Sequence, residues 1–120
     1  MEPNLRQVVK DFTVFMVKKL GIKKPYKIKL AQVRTPDFHT LAYYNPSTGD
    51  IAVYVKNRNT ADVLRSLAHE MIHHKQNQEG RLNTGEPIPD IGGPIEDEAN
   101  AHAGRLVKAF ALDSDHNIFD

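Results

Sequence analysis

The hydrophobic period of this chain changes twice, and that limits the folds open to it. Over residues 4–20, Leu5, Val8, Val9, Phe12, Phe15, Met16 and Leu20 recur every three or four positions, the spacing of one helical face. Gly21 follows as a plausible C-cap. The period then shortens to two. "YKIKLAQV", Tyr26–Val33, sets Tyr26, Ile28 and Leu30 against lysines, the alternation of a half-buried strand. "TLAYYN", Thr40–Asn45, and "DIAVYV", Asp50–Val55, flank the turn "NPSTGD", which reads as a hairpin connection. Beyond Thr60, a suitable N-cap, the longer period returns in Val63, Leu64, Leu67, Ala68, Met71 and Ile72. It recurs from about Ile95 to Leu112 in Ala99, Ala103, Leu106, Val107 and Phe110. The expectation is an α+β fold: a helix, a small three-stranded antiparallel sheet, then two helices.

The chain has 120 residues, enough for one compact domain, 1–120, and not for two. It has no cysteine, which excludes disulfides and thiolate metal sites. Any metal must be held by histidine and carboxylate, a donor set that suits zinc. The N-terminal "MEPNLRQVVKDF" lacks the basic and apolar regions of a signal peptide, and no window approaches a membrane span; the expected location is cytoplasmic. Charge is unevenly spread: residues 1–29 carry eight Lys/Arg against two Asp/Glu, and residues 79–120 carry three against nine. The cluster Lys18, Lys19, Lys23, Lys24, Lys27 and Lys29 could meet nucleic acid. No aromatic or arginine pattern accompanies it, so a solvated helix end and a lysine-protected edge strand are expected instead.

The motif that carries chemistry lies in "SLAHEMIHHKQ", Ser66–Gln76. His69 and His73 are one helical turn apart on one face, where two imidazoles can reach a single zinc at about 2.0–2.1 Å. Glu70 is rotated by about 100° from His69. That makes it a poor third ligand but leaves it able to take a proton from a water on the metal. Six histidines and six glutamates in this chain would produce H-E-x-x-H by chance roughly once in seventy such chains. The context therefore matters: the motif lies within a helical pattern, anchored by Leu67, Ala68, Met71 and Ile72. A second helix follows with carboxylates and a histidine, and Glu96, Glu98 and His102 are all available as third ligand.

"HEMIH" combined with the downstream "EDEAN" resembles the gluzincin metallopeptidases, of which thermolysin is the familiar member. It is closest to their small bacterial and phage relatives, the minigluzincins and the ImmA/IrrE peptidases. In those families a glutamate opens the helix, a small residue follows three positions later, and Asp or Asn comes at the fourth. Glu96, Ala99 and Asn100 match in register. The resemblance, which covers mainly residues 64–110, implies a zinc-dependent peptidase acting on peptide or protein substrates. Glu96 would be the third ligand and Glu70 the general base, and Asn100 would hydrogen-bond a metal-bound imidazole, that of His69. Ala99 and Ala103 would let the two ligand helices approach closely. "HEMIHH" also resembles the SprT-like peptidases, which process proteins on DNA, but their third ligand is a histidine with no good match here. A repressor-cleaving or DNA-associated peptidase and a non-catalytic zinc-stabilised module are the alternatives.

The Tyr or His that steadies the reaction intermediate in larger gluzincins has no identifying motif. Tyr43, Tyr44, Tyr54, His102 and His116 are all available. His74 points away from the face shared by His69 and His73 and is expected at the surface, and Gln76 is expected to be solvated. His39, in a loop, has no assigned role. The loop from Glu79 to Pro94, rich in glycine and proline, is expected to border the substrate cleft, with Gly92 and Gly93 as a hinge. An exposed edge strand is expected to hold an extended peptide.

Overall fold

The computed structural model describes residues 5–32, 41–81 and 94–114. Three helices and three strands run in the order α1 (Leu5–Leu20), β1 (Lys27–Ala31), β2 (Ala42–Asn45), β3 (Asp50–Tyr54), α2 (Thr60–Gln78) and α3 (Pro94–Asp113). This is the α+β arrangement that the changes of period imply. Residues 33–40 and 82–93 and the tail from 115 lie outside the described residues, and with them His39, His116, Gly92, Gly93 and nearly all of the loop assigned to the cleft.

The sheet is mixed, not antiparallel throughout. Strand order is β1-β3-β2. β2 and β3 form the expected antiparallel hairpin, with Tyr44 opposite Ile51. β1 instead lies parallel to β3, with Ile28 beside Ile51 and Leu30 beside Val53. The hairpin turn closes through Asn45 O, which accepts from Gly49 N at 2.8 Å. Gly49 has φ +80°, and a Cβ there would lie 2.5 Å from Pro25 O. Only glycine permits both that conformation and so close an approach.

α2 occupies the centre. Val63, Leu64, Leu67, Ala68, Met71 and Ile72 have no exposed surface. Its N-cap is Asn59, not the expected Thr60: the Asn59 side chain accepts from Asp62 N at 2.9 Å, while Thr60 is the first helical residue and is buried. Arg58 fixes the approach to the helix by donating to Tyr54 O, Asp62 O and Ser66 Oγ. α3 packs against α2 through the small residues Ala99 and Ala103, both fully buried. α1 joins α3 through Phe12 and Phe15, whose rings lie 5.0 and 5.4 Å from that of Phe110. The six lysines of the basic cluster are all exposed. Among the described residues, no helix is long and apolar enough to cross a membrane.

Candidate metal centre

An apolar face of α2 turned to the core leaves the adjoining face, with His69, His73 and Gln76, directed at the start of α3. The side chain of Glu96 meets it there. His73 Nε2 lies 2.6 Å from Glu96 Oε1, and His69 Nε2 lies 3.2 Å from Glu96 Oε2. The two Nε2 atoms are 3.1 Å apart. Ligand atoms around a tetrahedral ion at about 2.0–2.1 Å sit about 3.3 Å from one another; the 3.1 and 3.2 Å separations are close to that, while the 2.6 Å contact is a hydrogen-bond distance that would have to open to admit an ion. Glu96 is in the first turn of α3, where the helix dipole favours a carboxylate. His73 and Glu96 are buried, and His69 keeps 16% of its side-chain surface.

The proton inventory strengthens that fit. Gln76 Oε1 is 2.7 Å from His73 Nδ1. Gln76 Nε2 donates to Ile95 O at 3.2 Å and to Glu98 Oε1 at 3.1 Å. Both acceptors demand the amide nitrogen, so the amide oxygen faces His73 and Nδ1 carries the proton. The neutral ring then has a lone pair on Nε2, facing a carboxylate and another imidazole nitrogen. The contact with the carboxylate requires a cation between the two atoms, either a proton or a metal ion. Burial pushes the His73 imidazole down from its ordinary pKa, with the His69 ring adding to that shift and the Gln76 hydrogen bond and Glu96 acting against it. Burial thus works against the imidazolium, and the donor set is one that could hold a metal ion.

Glu70 is buried beside this group. One ligand atom each from His69, Glu70 and His73 falls within 4.8 Å of the others, so Glu70 also could touch an ion. Glu96 meets both imidazole nitrogens at 3.2 Å or less and is the better third ligand, which leaves Glu70 at the open side. Glu98 turns outward. Its carboxylate accepts from Arg81 at 2.8 and 2.7 Å, and that pairing, with the Gln76 bond, holds it down to about 2.

Several residues stand elsewhere than their sequence positions suggested. Asn100 is exposed on α3, and the side chain that holds an imidazole Nδ1 is Gln76, which has no exposed surface. His74 is likewise fully buried. Its Nε2 donates to Lys24 O at 2.8 Å, and its Nδ1 accepts from the Tyr44 hydroxyl at 2.8 Å. Asn77 Nδ2 donates to the same hydroxyl oxygen and to Pro46 O. Tyr44 thus has its proton committed, and burial raises its pKa, with the nearby Glu70 charge adding to the shift. Tyr43 is 44% exposed, and Tyr54 and His102 are half-buried. Gln76 was discoverable in the sequence: with His69 and His73 it completes a 4–3 spacing on one helical face.

No protein-family model, curated protein sequence or solved structure matches this chain.

Proposed function

We propose that this chain is a zinc-dependent peptidase of the gluzincin kind, with His69, His73 and Glu96 as ligands. The observation that supports it most is the convergence of two imidazole nitrogens and a buried carboxylate, with Nε2–Nε2 at 3.1 Å and His69 Nε2–Glu96 Oε2 at 3.2 Å. A zinc ion held there supplies an acidified water and a Lewis acid for the scissile carbonyl. Glu70 accepts the proton of the attacking water on its carboxylate and passes it to the leaving amine. Its position in the turn of the two histidines holds it close without making it a ligand. The surrounding burial keeps bulk water from the carboxylate and strengthens its electrostatic effect. The substrate backbone runs along β2, a sheet edge whose Tyr44 lies within the field of Glu70. A cytoplasmic setting belongs to the same proposal.

The test joins metal analysis of the purified protein to cleavage of a peptide library. One zinc per chain is expected. Glu70→Gln should keep the zinc and the fold and lower the hydrolysis rate by about 10²–10⁴-fold. Protein purified without zinc and unable to take it up, or a Glu70→Gln variant of unchanged rate, would sink the reading.

A further inference from the structure

We infer that Gln76 is the positioning residue of this centre: its amide oxygen holds His73 in the Nδ1–H form and thereby presents the Nε2 lone pair to the metal. This rests on the proposed ligand role of His69, His73 and Glu96. Four observations carry it. Gln76 has no exposed surface, so water cannot substitute for its partners. Its oxygen lies 2.7 Å from His73 Nδ1. Turning the amide over would set its oxygen against Ile95 O and Glu98 Oε1, now at 3.2 and 3.1 Å from the nitrogen. That exchange would replace two hydrogen bonds by two mismatched contacts, each costly where water is excluded. Finally, Glu98 cannot swing away, because Arg81 grips both of its carboxylate oxygens.

The amide does a second task through the same atoms. Ile95 O, which it holds, belongs to the residue before Glu96. One side chain of α2 thus fixes the tautomer of one ligand and the height of the backbone that carries another. Arg81, Glu98, Gln76 and His73 form a continuous line of hydrogen bonds from the protein surface to the centre. Partners of this kind typically change metal affinity by about 10–100-fold when removed.

Two measurements test the assignment. The first is the tautomer of His73, read from imidazole ¹⁵N shifts of zinc-free protein at pH 8. The wild type should show a protonated Nδ1, and in Gln76→Met His73 should lose the Nδ1 proton and keep Nε2–H. The second is zinc affinity from competition with a chelator. Gln76→Met should bind about 10–100-fold more weakly. The paired exchange Gln76→Glu with Glu98→Gln keeps an acceptor opposite Nδ1 and a donor beside it, and should recover most of that loss. An unprotonated Nδ1 in the wild type would overturn the inference even if Gln76→Met failed to fold. Equal zinc affinity in wild type and Gln76→Met would overturn it as well. Wild-type protein with Nδ1–H that takes up no zinc would support the Gln76 assignment and sink the metal reading.

Discussion

His73 and His74 are neighbours in sequence, both buried within α2 and each in contact with several partners, yet they belong to two differently finished regions. On the side facing the sheet, every proton has an acceptor. His74 donates to Lys24 O and accepts from Tyr44, while Tyr44 accepts from Asn77. On the side facing α3, only half of the ring is matched in this way. His73 donates from Nδ1 to Gln76, but its Nε2 faces the Glu96 carboxylate, an acceptor, beside His69 Nε2. Buried polar groups that close among themselves hold a fold together. Buried donor atoms that converge on one point, as His69, His73 and Glu96 do, are the ones that the proposed metal would bind. Under the proposed function, the two faces of one helix separate structural polarity from chemical polarity, although both are written with the same residue types.

The largest effects should come from breaking that division directly. His73→Ala should lose zinc and bring hydrolysis to background. His74→Ala should do the reverse. It leaves Lys24 O and the Tyr44 hydroxyl without a partner and opens a cavity, so denaturant unfolding should show a loss of roughly 2–5 kcal/mol at unchanged zinc stoichiometry. Zinc loss in His74→Ala with full retention in His73→Ala would invert the comparison. Tyr44→Phe is a gentler version. It removes one buried hydroxyl from the closed network and should cost about 1–3 kcal/mol, again with zinc retained; loss of zinc would join the two regions that the geometry separates.

The smallest effect is expected from pH. Burial lowers the His74 pKa, and the Lys24 charge adds to the shift against a hydrogen bond to Lys24 O. His102 is lowered by burial, then by Arg105 and Lys75. A folded pKa below the unfolded one means that the unfolded chain binds more protons as pH falls. Stability from these groups is therefore complete above the unfolded value, about 6.5, and declines as pH drops below it toward the folded values. Zinc-free protein followed by urea unfolding from pH 8 to pH 5 should lose stability along that interval, and His74→Gln should flatten the loss. An unchanged slope in His74→Gln would assign the pH dependence to other groups.

The parts of this molecule legible in the sequence are those governed by local period. The three apolar stripes, the hairpin around Gly49 and the histidine pair one turn apart all follow from spacing along a single element. Glu96 needed a family resemblance, because the residue that meets His69 and His73 lies on another helix, beyond a loop whose course no local rule supplies. Asn59 and Thr60 are both acceptable caps, and the choice between them depends on how Arg58 seats the helix against β3. His74 and Gln76 resembled surface residues because most of their partners, Lys24, Tyr44, Ile95 and Glu98, lie far along the chain. Gln78 accepts from Lys23 N and Lys24 N and donates to Gly21 O, and such contacts leave no periodic trace. The direction of β1 was hidden for the same reason: alternation reveals which face of a strand is buried but not which edge it joins.

Parallel pairing of β1 with β3 imposes an order on folding. The β2–β3 hairpin closes over a short turn and can form within about 1–10 μs. β1 has no partner until β3 presents its other edge, and its docking must overcome the closure entropy of the whole intervening segment. Gly49, packed on Pro25 O, is where the finished hairpin receives the incoming strand. Val53→Ala should therefore slow refolding, whereas Leu30→Ala should chiefly speed unfolding; equal slowing by both would remove the order. The strand whose direction local sequence conceals is then also the one that arrives last, and its register is set by a template that the chain has built for itself.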